Sequence, residues 1–217
     1  METFILILDI IGAIAFAYSG VIVAIKHKMD LLGVILLGCI TACGGGVFRD
    51  ILLFKNPSLF TIYPNWELIS AFITTIVLFI FFYLKKNMSF FDKNWFKTLN
   101  TILDAIGLGV FVIMGANVAI DNNCNWFEVI FLATLTATGG GILRDLLALR
   151  IPVIFSRHIY AIAAILEAII YYLLIINGAN IIAATIVCVL LVVSIRVVAF
   201  KFKIDLPKVE LNIKDSK

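Results

Sequence analysis

Two stretches of this 217-residue chain are nearly the same: CGGGVFRDILL at Cys43–Leu53 and TGGGILRDLLA at Thr138–Ala148. Gly44 falls on Gly139, an offset of 95 residues. The same offset, without a gap, carries Asp9 onto Asp104, Gly12 onto Gly107, Phe16 onto Phe111 and Gly20 onto Gly115. It continues through Thr41 and Thr136, Arg49 and Arg144, Asp50 and Asp145, Lys55 and Arg150, and Pro57 and Pro152. A gapless match over about fifty positions, charged and helix-breaking residues included, marks an internal duplication.

What is duplicated follows from hydropathy. The chain is 63% hydrophobic and 14% charged, with mean hydropathy +1.11. A soluble domain is roughly half apolar and one quarter charged, so this chain belongs in lipid. Seven apolar segments approach or exceed the roughly 20 residues needed to cross a bilayer. They lie near Phe4–Ile25, Leu31–Phe54, Trp66–Leu84, Thr101–Ile120, Trp126–Leu149, Ile159–Ile176 and Asn180–Phe200. The first follows Met1, Glu2 and Thr3 without a basic n-region, and is expected to be a span and not a signal peptide.

Each copy holds three spans, and three is odd. The second copy therefore enters the membrane from the side opposite to the first, the inverted-repeat plan with a pseudo-two-fold axis in the membrane plane. The predicted fold is an all-α integral membrane protein of seven transmembrane helices. One transmembrane domain, 1–200, comprises repeat one (about 4–84), repeat two (about 101–177) and a seventh span (about 180–200), followed by a polar tail, 201–217.

Net charge is only +3, and its distribution says more than its sum. Loops 1–2, 3–4 and 5–6 and the C-terminal flank collect fourteen of the seventeen Lys and Arg residues, from Lys26 to Lys217. Outside the two glycine motifs the opposite side holds only Lys55. This bias predicts an outside N-terminus and a cytoplasmic C-terminus. The basic tail is expected to be an ordinary cytoplasmic flank, with contact to anionic membrane lipid as the alternative.

Gly44, Gly45 and Gly46 fall midway along span 2, as Gly139, Gly140 and Gly141 do in span 5. A glycine costs a helix about 1 kcal/mol relative to alanine. Two explanations stand: close helix packing, since glycine lets backbones touch, or a functional break whose freed backbone groups meet near the midplane and line an ion path. The triplet's repetition at symmetry-related sites favours the break. Charges at bilayer depth cost a few kcal/mol and mark function. By depth, Asp9 belongs with Arg49 and Asp50 near the outer face, and Asp104 with Arg144 and Asp145 near the inner. Each arginine is expected to meet a carboxylate, giving two charged vestibules around an apolar glycine waist. A structural clamp between neighbouring spans is compatible with that role. Glu167 stands alone in the middle of span 6, where the first copy has Phe72. It is a candidate proton or cation site, or a group at an oligomer contact.

Other classes of function find little support. Cys39 and Cys43 share a helix face, but their counterparts are Thr134 and Thr138, which argues for small-residue packing over a metal site. No nucleophile–base pair, cofactor motif or metal spacing appears, so neither an enzyme nor a bound cofactor is expected. The basic residues lack interleaved aromatics, so nucleic acid is not an expected partner.

At GGGVFRD and GGGILRD the chain resembles the trimeric intracellular cation (TRIC) channel family, particularly its prokaryotic members, a branch also labelled glycine transporter domain. The likeness covers about residues 1–200. It implies a homotrimer in a prokaryotic plasma (inner) membrane, each protomer with its own pore bounded by spans 1, 2, 4 and 5. It implies kinks at Gly44–Gly46 and Gly139–Gly141, with Arg49, Asp50, Arg144 and Asp145 as the adjoining charges. Monovalent cations, potassium chiefly and sodium, are the implied substrates. A carrier or exporter of glycine or another small amino acid is the alternative, since inverted repeats serve carriers too.

Overall fold

A computed structural model describes residues 2–61, 64–85, 93–156, 159–202 and 204. Lys86, Arg157, His158 and the tail 205–217 lie outside the described residues. In lipid only structures that satisfy their own backbone can span, and here that structure is the helix. The long helices are α1 (Glu2–Lys26), α2 (Leu31–Leu52), α4 (Trp66–Lys85), α5 (Asn94–Asp121), α6 (Trp126–Leu147), α8 (Tyr160–Ile176) and α9 (Ile181–Phe202). Two single-turn helices, α3 (Ser58–Thr61) and α7 (Val153–Ser156), join them. Six of the long helices are apolar enough and long enough to cross a membrane; α8, at 17 residues, is the shorter seventh. The protein is an all-α integral membrane protein, two inverted three-helix repeats with a seventh helix.

The duplication reaches into details of the backbone. Asp30 caps α2 by accepting the Gly33 N–H at 2.8 Å, and Asn125, its counterpart, caps α6 with a full capping box to Glu128. Lys28 and Asn123 share φ 56°, and Phe54 and Leu149 have φ 55° and 52°. All four end a helix in the left-handed conformation usually given to glycine. Past Phe54 the Lys55 N–H closes onto the Asp50 carbonyl at 2.9 Å; past Leu149 the Arg150 N–H closes onto Asp145 at 3.0 Å. That stop explains why α2 and α6 end two residues short of the apolar runs Leu31–Phe54 and Trp126–Leu149. In the other direction, α5 starts at Asn94, seven residues before its apolar run, because Phe96 in that polar first turn is itself buried.

α2 and α6 cross at the centre, with α1 against α2 and α5 against α6. α1 meets α5 through Phe16 and Phe111, ring centroids 5.1 Å apart. A Cβ at Gly12 would come within 3.2 Å of the Phe111 ring, and one at Gly107 would strike the Phe16 ring. Gly20 and Gly115 do the same for the hairpins: a Cβ there would lie 2.7 Å from the Thr41 and Thr136 hydroxyls respectively. Small residues let these spans approach closely, which is the main attraction available between apolar helices in lipid. α4 is peripheral, with Ala71 and Thr75 its buried residues. α8 is better covered, because α9, which has no counterpart in repeat one, lies against both α5 and α8.

Candidate functional site

The glycine triplets meet at the crossing of α2 and α6, and they do not break their helices. Both run as continuous α-helix through Gly44–Gly46 and Gly139–Gly141. This corrects the expectation of unwound segments with freed carbonyls. A Cβ on Gly45 would run into the Thr136 carbonyl, and a Cβ on Gly140 into the Thr41 carbonyl. A Cβ on Gly139 would sit 3.1 Å from the Gly45 Cα. The two backbones therefore touch, and the contact offsets the low helix propensity of glycine. The third glycine of each triplet is different. A Cβ on Gly46 would meet only a guanidinium nitrogen of Arg49, at 3.7 Å, and one on Gly141 a guanidinium nitrogen of Arg144 at 3.7 Å and the Tyr160 hydroxyl at 3.9 Å.

The arginines lie one turn beyond, at opposite ends of the crossing. Arg49 pairs with its chain neighbour Asp50, Nη2 to Oδ1 at 2.7 Å, and its Nε donates to the same oxygen at 2.8 Å. The other Asp50 oxygen accepts the Ser58 N–H at 2.8 Å, fastening the start of α3. Arg144 and Asp145 repeat the arrangement: Nε to Oδ1 at 2.7 Å, with Oδ2 accepting the Val153 N–H at the start of α7 at 2.8 Å. All four side chains are buried. Each aspartate thus clamps an arginine and the return loop together.

Around these matched clamps the two ends differ. At the Arg49 end, Asp9 of α1 lies within electrostatic reach of Arg49, but among the described residues Arg49 forms its ion pair with Asp50. The depth argument grouped Asp9 with Arg49 and Asp50 and left open which carboxylate takes the arginine; the one on the adjacent residue, already within reach, does so. Glu67, in the first turn of α4, faces the same group, close to Asp9, Arg49, Asp50 and the Cys43 thiol.

At the Arg144 end, Asp104 does reach its arginine, Nη1 to Oδ1 at 3.5 Å, and also holds Arg196 of α9, Nη2 to Oδ2 at 3.3 Å. Arg144 Nη1 further donates to the Ser19 hydroxyl of α1, and Arg150 pairs with Asp145 at 2.6 Å. Arg196 lies over the Tyr160 ring, 4.3 Å from its centroid. Ser19, Asp104, Arg144, Arg150 and Arg196 line an open cavity of about 190 Å³ with Lys26 and Asn100.

Sequence reasoning missed two of these residues. Glu67 sits where the second copy has Ile162, a departure from the repeat that could have drawn notice. Arg196 counted only as a basic flank, yet it falls on the buried stripe Thr185, Cys188, Val192, Arg196 and Ala199 of α9. Glu167 is fully buried in α8, away from both charged ends.

The profile of the family described as "Glycine transporter" matches residues 6–83 and 101–175, which are the two repeats. The UPF0126 inner membrane protein YadS of Escherichia coli is 37% identical over 164 residues, 76% of this chain and 75% of that protein. A solved TRIC cation channel superposes with TM-score 0.81 at 35% identity, covering 95% of this chain and 97% of that one. The TRIC orthologue of Rhodobacter sphaeroides gives TM-score 0.81 at 30% identity, covering 93% and 100%.

Proposed function

We propose, given that this chain belongs to the glycine transporter family, that it is a membrane channel for monovalent cations, chiefly potassium. The observation that carries this reading is the full-length likeness to solved TRIC cation channels. The proposed path runs along α1, α2, α5 and α6, from the Asp9–Glu67–Arg49 group to the Asp104–Arg144–Arg196 cavity. Its waist is the Gly45–Thr136 and Gly140–Thr41 crossing. Backbone contact there supports a waist that is shut in this conformation, so conduction requires α2 and α6 to separate. Glycine faces suit such a motion, because no side chains interlock across them.

The carboxylates at the two ends draw cations into a low-dielectric mouth, and the arginines paired with them limit how tightly a cation is held. The assembly we infer is a homotrimer with a pore in each protomer, N-terminus outside and C-terminus cytoplasmic, in a prokaryotic inner membrane. Purified protein in potassium-loaded liposomes tests the reading. A channel releases potassium at a rate that keeps rising with concentration and needs no exchange partner. Saturable glycine counter-flow without potassium release would instead make the chain a carrier.

A further inference from the structure

The duplication fails most informatively beneath α9. Gly109 of α5 stands where the first copy has Ile14, and Glu167 of α8 stands where it has Phe72. Ile14 and Phe72 are 43% and 45% exposed on the outer surface, whereas Glu167 is 0% exposed. The difference is α9, which packs on α5 and α8 and has no equivalent on repeat one. A Cβ on Gly109 would lie 2.8 Å from Val192 Cγ1 of α9 and 3.2 Å from Glu167 Oε1, so the glycine makes room for both.

An apolar side chain at position 167 would satisfy packing alone. Instead the carboxyl is enclosed, and among the described residues neither of its oxygens has a hydrogen-bond partner. Other polar residues gather on the same faces of these helices. Tyr171, one turn along α8, donates to Asn117 Oδ1 of α5 at 2.7 Å, where the first copy has Ile76 and Ile22. Polar groups inside a membrane protein that are not needed for packing mark a binding or transfer site.

We propose that Glu167 is a proton-binding site, and that the bound proton holds α9 against α5 and α8. Among the described residues a bare carboxylate in this enclosure has neither an ion-pair partner nor a hydrogen-bond donor, so it must acquire a proton, draw in water or move α9. At its level α9 presents one titratable group, the Cys188 thiol, which is close enough to feel the Glu167 charge. α5 presents Gly109 there and Asn117 further along, and α7 carries no titratable residue. Asp104 of α5, Arg144 and Asp145 of α6 and Arg196 of α9 face Tyr160, two turns away at the other end of α8. Release sends the proton to water and leaves the charge on Glu167. The consequence reaches the Arg144 cavity, because Arg196 lies one turn beyond Val192 on the helix that Glu167 supports. This site is separate from the α2–α6 crossing and does not depend on conduction.

Two readouts on the full chain in lipid nanodiscs test the proposal. The infrared spectrum at neutral pH should contain a carboxylic-acid carbonyl band that Glu167→Gln removes. Labelling of Cys188 by a membrane-permeant maleimide, mapped by peptide mass, should accelerate more at alkaline pH in the wild type than in Glu167→Gln. Should Glu167→Gln fail to insert, Glu167→Asp should shift the same infrared band. Identical carbonyl spectra in wild type and variant would overturn the proposal, as would equal alkaline acceleration of Cys188 labelling.

Discussion

Gly45 of α2 packs directly against the carbonyl of Thr136 in α6, and the pseudo-two-fold repeats the contact as Gly140 against Thr41. Neither carbonyl can retreat without moving its helix. Gly45→Leu and Gly140→Leu should each therefore destabilise the protein by about 1–3 kcal/mol, the range for overpacking. Gly46→Ala, whose added Cβ meets only the movable Arg49 guanidinium, should be close to neutral. Thermal unfolding in detergent compares the three. Equal stability of Gly45→Leu and Gly46→Ala would show that the crossing is not held by backbone contact.

The clamps supply a second prediction. Asp145 receives Arg144, Arg150 and the Val153 N–H, while Asp50 receives Arg49 and the Ser58 N–H. Breaking a buried ion pair from one side costs about 3–5 kcal/mol. Asp50→Asn and Asp145→Asn should both approach that loss, and Asp9→Asn should fall well below it. Double-mutant cycles for Arg49 with Asp50 and with Asp9 measure the two couplings directly. A larger coupling to Asp9 would reverse the assignment.

Asymmetry between the ends gives a third. Asp104 holds two arginines and Asp9 forms no ion pair among the described residues, so Asp104→Asn should be the more damaging of this symmetry-related pair. Removing Arg196 as well should recover part of the loss, because the double variant no longer buries an arginine that has lost its Asp104 carboxylate. Expression yield and thermal stability of Asp9→Asn, Asp104→Asn and the Asp104→Asn, Arg196→Gln double variant decide it. No recovery in the double variant would mean that the remaining contacts of Arg196, the Tyr160 ring among them, hold its charge without Asp104.

The seven spans and the inversion were legible because they rest on length, apolar content and a gapless offset. The offset even foretold backbone detail, pairing Lys28 with Asn123 and Phe54 with Leu149 at matching left-handed turns. What stayed hidden was contact between helices. Three glycines in a row lower helix propensity wherever they occur, but whether a neighbouring backbone fills the space is a tertiary fact. The triplets therefore read as breaks and proved to be packing faces. Depth along a span brought Asp9 towards Arg49 without revealing that Asp50 would take the arginine. Arg196 and Glu67 lay outside the strongest part of the repeat, and only the packing of α9 and α4 brings them to the charged ends.

Topology is a fourth prediction. In protein cleared of native cysteines, Asn122→Cys should label only from outside and Lys214→Cys only from the cytoplasm. Native Cys124 is a poor reporter, since burial and the Glu128 carboxylate push its thiol above the ordinary range. Labelling of both positions from one side would remove the inversion.

The central claim is cation conduction, and its most direct test is the reversal potential of currents from purified protein in a planar bilayer under a potassium chloride gradient. Unitary currents that reverse close to the potassium equilibrium potential are the predicted result. Absence of unitary currents, or reversal at the chloride potential, would contradict the account.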